Sequence, residues 1–125
     1  EAEKRIFRLS AQDESRHLAF GVTHMKYVMD TEPWRKEEMH HYLDIQEGAL
    51  AQSQQASLTT NPTTGEALAI LAGGGIEHID EGYAKLMLMR KRQVNEYMHR
   101  LEVVGLGDRR ERMAPGLREF LDPVS

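Results

Sequence analysis

The stretch Asp13-Glu14-Ser15-Arg16-His17-Leu18-Ala19-Phe20-Gly21 decides how the chain is interpreted. It lies inside residues 4–29, a proline-free segment that is far too long for a strand, and this predicts a helix. Residues three apart project from the same face of a helix, so Glu14 and His17 can contact one metal ion together. The stretch therefore predicts a helix with a metal-binding face.

Two further proline-free segments, 34–58 and 66–103, flank breaks that are rich in proline, glycine and threonine, and we expect each to be one helix. Short helices are predicted at 108–113 and 115–121. The fold class is therefore all-α, and we expect an antiparallel helical bundle formed by one domain, residues 1–125. The run Gly73-Gly74-Gly75 is costly inside a helix, so we expect it to kink or break the third helix, or to let another backbone approach closely.

The composition excludes several classes of protein. A chain of 125 residues with 40% hydrophobic and 29% charged side chains has the size and composition of one globular domain. Its net charge of -4 gives no reason to expect nucleic acid or an anionic membrane as partner. The absence of cysteine excludes disulfides, thiolate metal sites and a cysteine nucleophile, and it is compatible with the cytoplasmic location that we expect. No Gly-x-Ser-x-Gly elbow or phosphate-binding glycine loop is present.

Asp13-Glu14-Ser15-Arg16-His17, followed by Ala19-Phe20-Gly21, resembles the Asp-Glu-x-Arg-His motif of the ferritin-like di-iron carboxylate superfamily. The motif occurs in acyl-carrier-protein desaturases and in bacterial relatives of the ribonucleotide reductase small subunit and of arylamine N-oxygenases. The tail from Tyr97 to Leu121 is also similar, more loosely, to the C-terminal ends of some relatives. The resemblance implies a ferritin-like bundle that holds two irons between its helices.

The same resemblance assigns roles to four residues. It implies that Glu14 bridges the irons and that His17 ligates one of them. Asp13 is implied to orient the histidine of a partner helix, and Arg16 to pair with a neighbouring carboxylate. These assignments are implied by the family motif.

The chain departs from the family pattern because a complete site also needs a first Glu and a first Glu-x-x-His. In the family these normally precede the motif, but only thirteen residues precede Glu14 here. The chain also begins at Glu1 within a predicted helix, so it is expected to be the C-terminal part of a larger protein or a half-bundle. A missing segment or a second copy in a homodimer can supply the other ligands, and the sequence leaves both open.

Folding the three predicted helices back on one another suggests two further ligands. Turns near residues 31 and 61 place Glu47 and His78 level with Glu14 and His17. The sequence therefore predicts that these four residues share one layer of the bundle. The alternatives are a solvated carboxylate for Glu47 and a packing or capping residue for His78.

The function implied is that of a di-iron oxidoreductase that uses dioxygen on a small organic substrate. The alternative is a non-catalytic helical module that oligomerises and retains a remnant of the motif. A third function, iron storage, has no discriminating residue in this sequence.

Overall fold

The computed structural model describes residues 2–59 and 62–124, with side chains throughout except at 53–59 and 62. Six α-helices follow one another in this part of the chain, and it contains no strand. They are α1 (Ala2–Thr31), α2 (Lys36–Thr59), α3 (Pro62–Gly73), α4 (Ile79–Val103), α5 (Arg109–Arg112) and α6 (Pro115–Arg118). Turns of 3-10 helix, Pro33–Arg35 and Ile76–His78, precede α2 and α4. The predicted all-α fold class is confirmed.

The third predicted helix, 66–103, is not a single element: the chain breaks at the glycine run, as expected from its three glycines, and continues as two helices. Gly74 and Gly75 adopt φ angles of 88° and 155°, which only glycine adopts readily. The amides of both residues donate to the carbonyl oxygen of Ile70 at 3.0 Å, which ends α3 and turns the chain.

After this turn α4 packs directly against α3, and a glycine makes the contact possible. A Cβ atom on Gly82 would overlap the carbonyl group of Ala69 in α3. Gly82 is accordingly buried, and Ala69 is fully buried opposite it. The two backbones therefore approach more closely than any side chain at position 82 would allow.

The turn between α1 and α2 follows from Pro33, which lies at the first position of a 3-10 turn where the missing amide is tolerated. The amide of Glu32 still donates to the carbonyl of Val28 at 2.7 Å. Arg35 then bonds to Glu32 and Glu38 on either side of it, at 3.3 and 3.0 Å, and this fixes the start of α2.

The hydrophobic core lies at one end of the molecule, between the second half of α4 and the segment that follows it. Its buried members are Val94, Met98, Leu101, Val104, Leu106, Met113 and Leu117. The end of α1 and the beginning of α2 cover it through Val22, Met25, Met29, Met39 and Leu43. The C-terminal segment is therefore part of the core, and its removal would expose the apolar face of α4.

Away from this core, large apolar side chains stay exposed on several helices. They include Ile6, Phe7, Leu9, Leu18 and Phe20 on α1, Ile45 and Leu50 on α2, Leu71 on α3 and Leu88 on α4. These side chains leave apolar surface on four helices that the described part of the chain does not cover.

No helix in the described ranges is both long enough and apolar enough to cross a bilayer.

We expect Gly82→Ala to destabilise the chain by about 1–3 kcal/mol, since the new methyl group can be accommodated only by moving the backbone of α3. Thermal unfolding followed by circular dichroism measures the change. Gly48→Ala is the matched control, because a Cβ at this helical glycine meets nothing within 4 Å. That variant should be neutral or more stable by up to about 1 kcal/mol. Equal effects at the two positions would contradict the close packing of α3 on α4.

Candidate functional site

The motif residues lie on the part of α1 that other helices do not cover. Every residue from 2 to 20 is exposed, including Glu14 and His17. The 3.6-residue period places Glu14 and His17 on one face of α1. The structure thus confirms the helix under the motif and brings this pair to one surface.

That surface continues the face through which α1 packs on the core. Residues seven apart lie on nearly the same side of a helix, so Phe7, Glu14, Gly21 and Val28 form one stripe. Val28 is buried, Gly21 is half-buried, and Glu14 and Phe7 are exposed. The stripe is therefore buried at the C-terminal end of α1 and exposed at Glu14 and Phe7.

Asp13 and Arg16, which were predicted to support the metal ligands, form an ion pair with each other. The distance from Asp13 Oδ1 to Arg16 Nη1 is 3.8 Å, and both side chains are largely exposed. A pair of this kind contributes little to stability. Neither residue contacts a second helix in the described part of the chain through a side-chain hydrogen bond or an ion pair.

The predicted layer of Glu14, His17, Glu47 and His78 is not formed. Within residues 2–59 and 62–124, no three His, Asp or Glu side chains come together in a group that could hold a metal ion. Glu47 is instead buried against Tyr97 and Arg109, and the break in the third helix leaves His78 on an exposed turn. Glu14 and His17 remain together, while Glu47 and His78 have other surroundings.

His78 is exposed at the end of the 3-10 turn before α4. Its Nδ1 atom lies 3.5 Å from Oε1 of Glu81 on the first turn of α4. His78 occupies the N-cap position of α4, but its side chain makes no capping hydrogen bond, and its exposure does not fit a packing role.

Glu47 is buried, with 3% of its surface exposed, and both of its carboxylate oxygens accept hydrogen bonds. Oε1 accepts from Tyr97 Oη at 2.7 Å and from Arg109 Nε at 2.9 Å. Oε2 accepts from Arg109 Nη2 at 2.6 Å. This bidentate pair with a guanidinium satisfies the carboxylate within the protein, so Glu47 serves as a buried counter-ion.

Arg109 is fully buried and connects α5 to three residues of α2. Besides Glu47, its Nη2 atom lies 2.6 Å from Asp44 Oδ1, and its Nη1 atom donates to the carbonyl of His40 at 3.2 Å. All buried side-chain nitrogen and oxygen atoms in the described residues have a hydrogen-bond partner. The buried charges are therefore paired and hydrogen-bonded, which is the condition for keeping them inside a protein.

His40 completes this buried polar cluster, which consists of His40, Glu47, Tyr97 and Arg109. Its Nδ1 atom lies 3.3 Å from Arg109 Nη1, and a guanidinium can only donate, so Nδ1 is the acceptor. The proton of the neutral imidazole is then on Nε2, which donates to Asp108 Oδ2 at 3.2 Å. His40 therefore links α2 to the residue that precedes α5.

These contacts shift the pKa values of Tyr97 and Asp44 in opposite directions. Burial raises the pKa of Tyr97 well above its ordinary value, and the hydrogen bond to Glu47 raises it further, so the phenol stays protonated and donates. The hydrogen bond from Arg109 lowers the pKa of Asp44. Outside the cluster, the bidentate hydrogen bonds from Arg112 lower the pKa of Glu37 in the same way.

The sequence did not single out Arg109, Tyr97 or His40 as a cluster. Arg109 lies 62 positions from Glu47, and no local spacing connects the two. No local pattern distinguished Arg109 either, because α5 consists only of Arg, Arg, Glu and Arg and has no apolar face.

No protein-family model, curated protein or solved structure matches this chain.

We expect Arg109→Met to destabilise the chain by about 3–5 kcal/mol, because it leaves Glu47 buried without its counter-ion. Chemical denaturation measures the loss. The double variant Glu47→Leu with Arg109→Met should recover much of it, since the charge left unpaired, Asp44, is about half exposed to solvent. Arg112→Met is the matched control: its partner Glu37 is exposed, so at most about 1 kcal/mol should be lost. A double variant as unstable as Arg109→Met would show that the buried charge is not the cause.

The lowered pKa values of Asp44 and Glu37 predict how stability depends on pH in acid. A carboxylate whose pKa is lower in the folded state stabilises that state above its unfolded pKa, and this contribution is lost as pH falls through the folded pKa. The free energy of unfolding should therefore decrease from roughly pH 4.5 downward. Asp44→Asn should make this decrease less steep, and an unchanged slope would argue against the ion pair with Arg109.

Proposed function

We propose that this chain is part of a ferritin-like di-iron protein, and that α1 is one of its metal-binding helices. The single observation that carries the proposal is the uncovered stripe of α1. A face that is buried further along the same helix presents Glu14 and His17 where nothing in the described chain covers it. The motif resemblance supports the same assignment.

The residues present fit half of such a centre. A carboxylate and an imidazole three residues apart on a helix are ligands that iron accepts. A dinuclear centre needs further ligands, and the described residues supply no group of three. The other ligands must therefore come from helices that pack on the exposed face of α1.

The reaction class that we propose is oxidation of a small organic substrate by dioxygen. Glu14 and His17 would hold iron that, when bound, would supply the activation of dioxygen, and the apolar side chains of α1 would exclude water there once they are covered. In this assignment Glu14 and His17 hold the metal, while Asp13 and Arg16 orient neighbouring ligands. Phe7 and Leu18, which lie near the same stripe, provide apolar surface beside the ligands.

The buried polar cluster has a supporting part in this proposal. It fixes α2 and the C-terminal segment against α4, and α4 belongs to the core on which the end of α1 packs. The cluster thus stabilises the core on which the C-terminal end of α1 packs.

A second candidate function, a non-catalytic module that oligomerises through helices, is favoured by the same exposed apolar side chains. The two candidates differ in whether Glu14 and His17 bind metal.

Iron analysis of protein purified without chelator separates them. We expect bound iron in the wild-type chain, and loss of at least nine-tenths of it in Glu14→Ala and in His17→Ala, because each variant removes one ligand. Both positions are exposed, so circular dichroism should show unchanged folding.

The control is the double variant Glu38→Ala with His41→Ala, which removes another exposed Glu-x-x-His pair from α2. It should keep its iron. A wild-type chain without iron, or equal loss in the control, would contradict the di-iron proposal and favour the oligomerisation module.

A further inference from the structure

The residues Phe120, Leu121 and Asp122, which we call the terminal tail, lie against α4 after the last helix. Leu117 in α6 is the last buried residue in the described part of the chain. Phe120 and Leu121 are half-buried where they pack on the core, and Asp122 is exposed. The terminal tail therefore covers the core from the surface of the molecule.

Asn95 on α4 holds the main chain of the terminal tail with both ends of its side-chain amide. Its Nδ2 atom donates to the carbonyl of Phe120 at 2.9 Å, and its Oδ1 atom accepts from the amide of Asp122 at 2.8 Å. These two main-chain groups flank Leu121. Hydrogen bonds to the main chain give affinity for a peptide whatever its side chains are, and neighbouring side-chain contacts then provide the specificity.

Two cationic residues of α4 contact the side chains of the terminal tail. Lys91 Nζ lies 2.9 Å from Asp122 Oδ1, and the guanidinium of Arg90 lies over the ring of Phe120, 5.9 Å from its centroid. Arg110 of α5 adds a hydrogen bond from Nη1 to the carbonyl of Asp122 at 2.8 Å. This surface therefore matches an aromatic residue that is followed two positions later by an acidic one.

The same surface continues into an open cleft along α4, with a volume of about 540 Å³. Lys91 and Asn95 line both the cleft and the contact with the terminal tail, and Asp122 forms one wall of the cleft. A peptide bound in place of the tail would have room to continue beyond its acidic residue.

The contacts of the terminal tail are of the kind that open without unfolding of the core. The side chains of Lys91 and Asp122 are 52% and 57% exposed, so their ion pair contributes little to stability. Asn95 also donates to the carbonyl of Lys91 within α4 at 2.8 Å, and this hydrogen bond does not depend on the tail. Chain ends with few buried contacts open locally, at a lower free energy than global unfolding requires.

We propose that this surface of α4 is a docking site for a peptide segment of another protein, one with an aromatic residue followed two positions later by an acidic residue. The terminal tail has this chemistry and occupies the site as an autoinhibitory strap, which must leave before the peptide binds. The site consists of Arg90, Lys91, Asn95 and Arg110, and it is separate from the metal ligands proposed on α1.

Fluorescence polarisation of a labelled synthetic peptide spanning residues 117–124 tests the site in the full chain. The tail is tethered beside its site at an effective concentration on the order of millimolar, so wild type should bind the free peptide weakly. The double variant Phe120→Ala with Asp122→Ala weakens the strap, and it should bind the unaltered peptide roughly tenfold more tightly or better. Both positions lie beyond the last buried residue, so circular dichroism should show unchanged helix content.

Two controls identify the contacts responsible. Adding Asn95→Ala to the double variant should weaken peptide binding about tenfold, because two main-chain hydrogen bonds are lost. Glu119→Ala, an exposed neighbour of the tail, should bind the peptide as weakly as wild type does. A double variant that binds no better than wild type, or binding that survives Asn95→Ala, would overturn the proposal.

Hydrogen exchange of the wild-type chain, measured by NMR, tests the release of the strap without any variant. The amide of Asp122 donates to Asn95, and that of Met113, a buried core residue, donates to the carbonyl of Arg109. We expect much lower protection at Asp122 than at Met113, because the strap opens while the core stays folded. Equal protection at the two amides would mean that the tail leaves only on global unfolding, and the strap would then be refuted.

Discussion

The buried pair of Arg109 and Glu47 is the interaction on which the rest of the structure depends. A guanidinium and a carboxylate are expensive to remove from water, and they are stable inside a protein only when each satisfies the other. Here the pair joins the middle of α2 to the segment after α4, and Tyr97 on α4 adds a third attachment. The geometry of this one contact therefore fixes which face of α2 meets the C-terminal segment. Apolar contacts such as those of Leu106 and Leu117 are less directional, and they fill the space that the pair defines.

The C-terminal end of α1 packs on the hydrophobic core, whereas residues 2–20 of the same helix are exposed. Apolar side chains near its C-terminal end contact the core. Glu14 and His17, on the same face nearer the N-terminus, are exposed. Burying these two polar side chains against apolar neighbours alone would be costly. A cation or complementary polar groups on a covering helix would offset that cost, and our proposal of metal binding on this surface rests on this argument.

Local patterns predicted the helical elements well and the long-range contacts poorly. Proline-free segments gave α1 and α2 to within about two residues, because helix formation depends on neighbours along the chain. The glycine run marked the position where the third segment breaks, but its length alone favoured one continuous helix. The face shared by Glu14 and His17 follows from helical spacing and is present. The proposed layer with Glu47 and His78 required the relative placement of three helices, and spacing contains no information on it. Arg109 pairs with Glu47 across 62 positions, a distance over which periodicity carries no signal.

The exposure of α1 also has a consequence for folding. The nineteen exposed residues from 2 to 20 gain little stability from burial, so their helicity depends largely on intrinsic propensity and on attachment to the packed turns that follow. Glu14 and His17 hold their relative positions only in the helical population. The binding free energy of any molecule that covers the stretch must also offset the entropy cost of ordering it. Association and helix formation are then one coupled transition. The net affinity of a partner for this stretch equals its affinity for the preformed helix, reduced by the free energy of completing the helix.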